Sequence, residues 1–331
     1  MFESLNREAD FAIDAVRSAA MLLRAIQDDP RMSAVAKEDL SPVTAADYAA
    51  QALIVARLNE TFPEDGLLAE EQGSALRRAP ASLGQRVLDH VRRARPQATH
   101  EQVLRWLACR VSGAGRRWWA LDPLDGTKGF LRGGQYAVAL ALIEAGHVLV
   151  AALGCPRWSP KGEEPGRLLI AARGEGAWQV RLEGGELSPL SVSGEHRPQH
   201  ARLLFSFEPD HTDEAKMAGI LSALGSGEPP LRMDSQVKYA ALAAGEGELV
   251  IRLPPAARPD RRDWIWDHAA GSLIVEEAGG AVSDLRGRPL TITDQPRLPD
   301  NWGILATNRH LHAAALAAIE AVGADQRPFA I

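Results

Sequence analysis

The residues Ala120-Leu121-Asp122-Pro123-Leu124-Asp125-Gly126-Thr127-Lys128-Gly129-Phe130 place two carboxylates three positions apart, at a turn marked by Pro123 and Gly126. Unit charges about 5 Å apart repel by roughly 3 kcal/mol at an effective dielectric of about 20. A fold keeps such a pair by sharing a proton, by solvating both groups, or by setting a cation between them. A helix starting at Gly126-Thr127 would aim free backbone N–H groups at an anion. Carboxylates for a hard cation beside N–H groups for a phosphate point to metal-assisted phosphoryl chemistry. Taken alone, the stretch fits a plain turn and helix cap better, because Asp-Pro and Asp-Gly are common turn dipeptides.

Two further acidic sites are ambiguous in the same way. Thr44-Ala45-Ala46-Asp47 opens a helical pattern running to about Asn59 and fits a capping box, in which Asp47 caps its own helix. Glu70-Glu71 ends the short apolar run Leu67-Leu68-Ala69, where adjacent acids are ordinarily solvated surface. Both gain chemical meaning only if the fold carries them to Asp122 and Asp125. Lys128 and Lys238 stand out in a chain whose basic residues are mostly arginine.

The elements that must position these groups follow from periodicity. The apolar run from Trp118 to Leu121 reads as the end of a strand. Ala12, Val16, Ala19, Leu23 and Ile26 are spaced as one face of a helix over residues 9–27. Residues 73–117 are polar and arginine-rich, and predict one or two helices plus a linker. Two hairpins follow, residues 136–155 turning at Ala145-Gly146, and residues 168–181 turning at 173–176. From Arg202 onward strands (203–207, 231–233, 249–253, 281–283, 303–307) alternate with helices (213–224, 237–244, 267–278, 311–322). Loop-like residues near Gly184-Gly185 and 193–199 divide the chain. Residues 1–195 form an α+β domain with an antiparallel sheet, and residues 196–331 an α/β domain.

A length of 331 residues allows one large or two ordinary domains. A hydrophobic content of 46% with 24% charged residues is that of a soluble globular protein. The net charge of −6 argues against a nucleic-acid-binding surface. Cys109 and Cys155 lack metal-ligand spacing and are expected to be buried free thiols in a reducing compartment. The start Met1-Phe2-Glu3-Ser4 has no basic and apolar signal pattern, and no apolar run reaches the ~18 residues of a membrane span. The expectation is a cytoplasmic protein, monomer or homodimer, with neither membrane nor nucleic acid as partner.

Four motifs in order carry a resemblance: Pro42-Val43-Thr44-Ala45-Ala46-Asp47, Ala69-Glu70-Glu71, Asp122-Pro123-Leu124-Asp125-Gly126-Thr127, and Trp266-Asp267-His268-Ala269-Ala270-Gly271. With them the chain resembles the inositol monophosphatase superfamily of magnesium-dependent, lithium-sensitive phosphatases. The stretches 127–136 and Met233-Asp234-Ser235-Gln236-Val237-Lys238-Tyr239 look most like its 3′(2′),5′-bisphosphate nucleotidase branch. The resemblance implies a layered αβαβα sandwich, with an antiparallel sheet in the first domain and a mixed sheet in the second. It also implies two or three Mg²⁺ ions per site, held by Glu70, Asp122, Asp125 and Asp267 and the Leu124 carbonyl. Asp47 and Thr127 match the pair that orients and deprotonates the attacking water, with the threonine hydroxyl donating to Asp47. Gly126 and Thr127 match the backbone that holds the scissile phosphate. Ser235, Lys238 and Arg252 match contacts to a nucleotide bisphosphate, and His211 a contact to its base. The implied reaction removes the 3′-phosphate of adenosine 3′,5′-bisphosphate. The alternatives are an inositol or sugar-phosphate phosphatase, or a metal- and nucleotide-binding module without turnover.

Overall fold

The computed structural model describes residues 5–29, 41–108, 117–208, 212–258 and 260–326. The chain opens with two alanine-rich helices, α1 (Asn6–Gln27) and α2 (Ser41–Thr61), and the short strand β1 (Gly66–Ala69). Helices α3 (Gly73–Arg78), α4 (Ala81–Ala94) and α5 (His100–Trp106) follow. Then come β2 (Arg117–Asp125), the single-turn α6 (Thr127–Leu131), the hairpin β3 (Ala137–Glu144) and β4 (His147–Cys155), and the strands β5 (Arg167–Ala172), β6 (Ala177–Arg181) and β7 (Ser188–Pro189).

These seven strands form one sheet in sequence order. Its neighbours pair antiparallel except β1, which runs parallel to β2. A parallel pair needs a long crossover, and this explains why the weakly patterned residues after β1 are helical. Among the described residues they form three helices rather than the expected one or two. The hairpin turn sits at Ala145 (φ 50°) and Gly146 (φ 82°), both left-handed as a type I′ turn requires.

The second half alternates as expected: β8 (Leu204–Phe205), α7 (Glu214–Leu224), β9 (Leu231–Arg232), α8 (Val237–Ala243), β10 (Leu249–Arg252), α9 (Ala269–Glu277), β11 (Ala281–Ser283), β12 (Ile304–Thr307) and α10 (His312–Ala321). Strands β10, β12 and β11 pair antiparallel, while β8 pairs parallel with β9 and touches β10 through a parallel bridge at Leu203 and Leu249. The sheet is therefore mixed.

Alternation along β2 shows how the layers stack. Trp119 and Leu121 point into a core shared with α1 and α2, whereas Trp118 and Ala120 point into a second core shared with α8, α9, β10 and β12. A third core lies between Leu249, Ile251 and Leu305 on the far face of the second sheet and the helices α7 and α10. The order is helix, sheet, helix, sheet, helix. The central strands, buried on both faces, are accordingly continuous apolar runs.

Helix α2 begins at Ser41, so Asp47 lies inside it and the capping-box reading fails. Cys155 is a buried free thiol whose pKa burial pushes upward, and Cys109 lies outside the described residues. Among the described residues, no helix is long and apolar enough to cross a membrane.

Candidate active site

Asp122 and Asp125 are an odd number of residues apart and would face opposite sides of a regular strand. The pairing of β2 with β3 slips between them: Asp122 lies opposite Ala139, and Asp125 opposite Ala137. One extra residue on β2 makes this a bulge, which corrects the parity and lets both carboxylates face one site. Pro123, which has no N–H to lose, suits the bulge, and the Leu124 N–H donates to Asp122 Oδ1 at 3.1 Å. Gly126 follows with φ 93°, and a Cβ there would stand 2.8 Å from the Ser235 Cβ.

The parallel pairing of β1 with β2 sets Ala69 beside Leu121, which delivers Glu70 to Asp122. The Glu70 N–H donates to the Leu121 carbonyl at 3.2 Å, and the Glu70 carboxyl lies beside that of Asp122. Glu71 turns toward α2: its backbone is clasped by the Gln51 amide at 2.6 and 3.1 Å, and its carboxyl bonds Tyr48. Asp47 approaches from α2, and Asp267 from the segment just before α9.

Burial pushes these acids up, and their mutual repulsion adds to it. Glu70 and Asp267 are raised to about 7. Asp122 is raised by burial first, then by Glu70, Asp125, Asp267 and Asp47, which puts it at the centre of the group. Asp47 and Asp125 are raised as well, Asp47 by burial and then by Glu70 and Glu71, and Asp125 by burial against the pull of Lys238. The Oδ1 atom of Asp47 is buried without a hydrogen-bond partner. A buried set of all-oxygen donors whose charges lack compensation fits a hard divalent cation. As they stand, no three His, Cys, Asp or Glu side chains among the described residues surround a common point at ligating distance.

The Thr127 hydroxyl donates to the Leu124 carbonyl at 3.4 Å. It does not make the expected bond to Asp47, and it occupies one lone pair of the expected Leu124 ligand.

A cleft of about 250 Å³ opens beside the acids, lined by Asp125, Thr127 and Asp267 together with Ser235, Lys238 and Arg252. Burial lowers Lys238 to about 8 against the pull of Asp125, and its ammonium donates to the Ser235 carbonyl at 2.7 Å. Arg252 donates through Nε to Asp263 Oδ1 at 3.2 Å. Burial alone would raise Asp263, but His268, whose Nε2 lies 3.7 Å from Asp263 Oδ1, and the Arg252 charge hold it well below the usual carboxylate range. His268 in turn meets the Tyr239 hydroxyl at 2.7 Å. His211 lies outside the described residues.

Sequence reasoning missed Asp263 and His268, which back Arg252, and the charged rim of the cleft. At that rim Glu208 bonds Lys128 at 2.8 Å and Arg132, while Arg132 also bonds Asp234 at 2.7 Å. Arg132 and Asp234 lie in the two stretches that carried the resemblance to the nucleotidase branch, but nothing in their spacing shows that they pair.

The model of the inositol monophosphatase family matches residues 5–324. The 3′(2′),5′-bisphosphate nucleotidase of Schizosaccharomyces pombe is 35% identical over 343 residues, covering 96% of this chain and 96% of its own. That of Oryza sativa is 37% identical over 333 residues, covering 92% and 91%. Among solved structures, the inositol monophosphatase from Anabaena superposes with a TM-score of 0.65 at 23% identity, covering 96% of each chain. CysQ from Bacteroides thetaiotaomicron, a bacterial member of the inositol monophosphatase family, gives 0.60 at 23% identity over 91% of this chain and 97% of its own. The layered fold is the one that the resemblance implied. The chain belongs to the inositol monophosphatase family.

Proposed function

We propose that this protein is a magnesium-dependent phosphatase that hydrolyses the 3′-phosphate of adenosine 3′,5′-bisphosphate to AMP and inorganic phosphate. The observation that carries the reading is the meeting of two unlike sets of groups. Glu70, Asp122, Asp125 and Asp267, from three segments of the chain, converge beside a cleft that Lys238 and Arg252 also line. The curated relatives bear the matching name at 35% and 37% identity over more than nine-tenths of the chain.

Glu70, Asp122, Asp125 and Asp267, with the Leu124 carbonyl, would hold two or three Mg²⁺ ions. Bound there, Mg²⁺ supplies an acidified water and charge neutralisation at the leaving oxygen. Asp47, buried with an unpartnered oxygen, is the proton acceptor nearest in kind to that role, and Thr127 orients the water once its hydroxyl turns from Leu124. A positioned acid–base group contributes typically about 10²–10⁴-fold. The Gly126-Thr127 backbone holds the scissile phosphate, and Ser235, Lys238 and Arg252 bind the phosphate that stays; a guanidinium can fork onto two of its oxygens. His211 is assigned to the base. We place the boundary between the two domains near residue 195. The buried free thiol of Cys155 accords with a reducing compartment, and we take the cytoplasm as the site of action.

A phosphate-release panel tests the reading: adenosine 3′,5′-bisphosphate, inositol 1-phosphate and fructose 1,6-bisphosphate, each with and without Mg²⁺ and Li⁺. The expected result is Mg²⁺-dependent, Li⁺-inhibited release, fastest from the adenosine bisphosphate. Faster release from inositol 1-phosphate would reject the substrate, and release without a divalent cation would reject the chemistry.

A further inference from the structure

Gln236 joins the acid-bearing segments of the two halves and is only 2% exposed. Its backbone N–H donates to Asp125 Oδ2 at 2.5 Å. Its side-chain Nε2 donates to the Trp266 carbonyl at 2.9 Å, and its Oε1 accepts the Gly271 N–H at 3.2 Å. The first bond fixes a carboxylate at the end of β2. The other two fix the chain on both sides of Asp267. One residue therefore spans Asp125 and Asp267, which feel each other's charge.

The neighbouring residues hold this bridge in place. Asp234 is gripped by Arg132 at 2.7 Å. Ser235 adopts φ 59°, a conformation uncommon for a residue with a side chain. Gly126 packs against it so closely that an added Cβ would stand 2.8 Å from the Ser235 Cβ. A linker that only connected β9 to α8 would need neither the left-handed serine nor three hydrogen bonds from the next residue.

We infer that Gln236 is a positioning residue, which sets the spacing of Asp125 and Asp267 and thereby the affinity for the divalent cation they share. The inference rests on the cation reading of the site and extends it to a residue that holds the carboxylate-bearing segments rather than supplying a carboxylate. A buried amide can also serve packing alone, and the molecule supplies a comparison. Asn301, 4% exposed, likewise accepts a backbone N–H (Thr291, 2.8 Å) and donates to a carbonyl (Pro289, 2.9 Å), but it holds a loop that contributes nothing to the cleft.

The test is Mn²⁺ binding to the metal-free full chain without substrate, with free Mn²⁺ read by electron paramagnetic resonance. Each variant's melting temperature is measured alongside. Supporting groups behind metal ligands typically change affinity about 10–100-fold, so Gln236→Met should raise the Mn²⁺ dissociation constant at least about tenfold. Asn301→Ala should lower the melting temperature and leave Mn²⁺ binding unchanged. Unchanged binding in Gln236→Met, or an equal loss in Asn301→Ala, would overturn the inference. If Gln236→Met does not fold, Gln236→Asn, one methylene too short to reach both partners, is read in the same way. If the wild-type chain holds no Mn²⁺, the cation reading itself falls and takes the inference with it.

Discussion

Replacing Lys238 with methionine should separate recognition of the second phosphate from the chemistry. The ammonium donates to the Ser235 carbonyl at 2.7 Å, and Lys238 lines the cleft together with Arg252. A hydrogen bond to a charged group contributes about 1.5–3 kcal/mol, and each 1.4 kcal/mol is about tenfold. KM for adenosine 3′,5′-bisphosphate should therefore rise about 10–150-fold, toward the lower figure because Arg252 remains to share the charge. Phosphate release from a simple monophosphate should change less than about threefold, since no second phosphate reaches Lys238. Burial has moved Lys238 down to about 8, and only its protonated form binds an anion. KM for the bisphosphate should thus climb as pH rises through 8 in the wild type, and this dependence should vanish in the variant. The assay is steady-state phosphate release with both substrates from pH 7 to 9. Equal losses on both substrates would refute the assignment of Lys238.

Asp125→Asn keeps the shape and can still accept the Gln236 N–H, but removes one charge from the acidic group. Magnesium-dependent phosphate release should fall at least about 10³-fold, while the metal-free melting temperature stays level or rises because a repelling charge is gone. Asp47→Asn should lower kcat about 10²–10⁴-fold with little change in KM, and single-turnover kinetics distinguish this from slow product release. Glu70 and Asp267, raised to about 7, bind more protons in the folded than in the unfolded chain. Their contribution is therefore fully present below their unfolded values near 4 and is lost as pH rises through 7. The metal-free protein should melt lower at pH 8 than at pH 5.5, and Mg²⁺ should raise the melting temperature more at pH 8; a shift that does not depend on pH would contradict this. Gly126→Ala, forced into φ 93° and against Ser235, should lower both stability and turnover.

The acids were legible because turn chemistry and order along the chain mark them, and the family resemblance then removed the competing readings. Why they meet was less legible. Glu70 reaches Asp122 through a parallel pairing that an antiparallel reading of the first sheet did not include. Asp122 and Asp125 share a face through a bulge that no local pattern announces. The capping-box reading of Asp47 failed because the helix starts three residues before Thr44. A true capping box, Thr99 with Gln102, begins α5 within the stretch that looked patternless. Hairpin turns are local and were read correctly at Ala145-Gly146. Gln236, Asp263 and Glu208 are defined by partners distant along the chain, so their roles exist only in the folded molecule.

The most direct measurement is anomalous diffraction from crystals grown with Mn²⁺ and the product AMP. Mn²⁺ peaks about 2.0–2.4 Å from oxygens of Asp122, Asp125, Asp267 and Glu70, with the AMP phosphate against Lys238 and Arg252, are what the account predicts. Manganese bound elsewhere, or those four carboxylates apart with AMP bound and no peak among them, would contradict it.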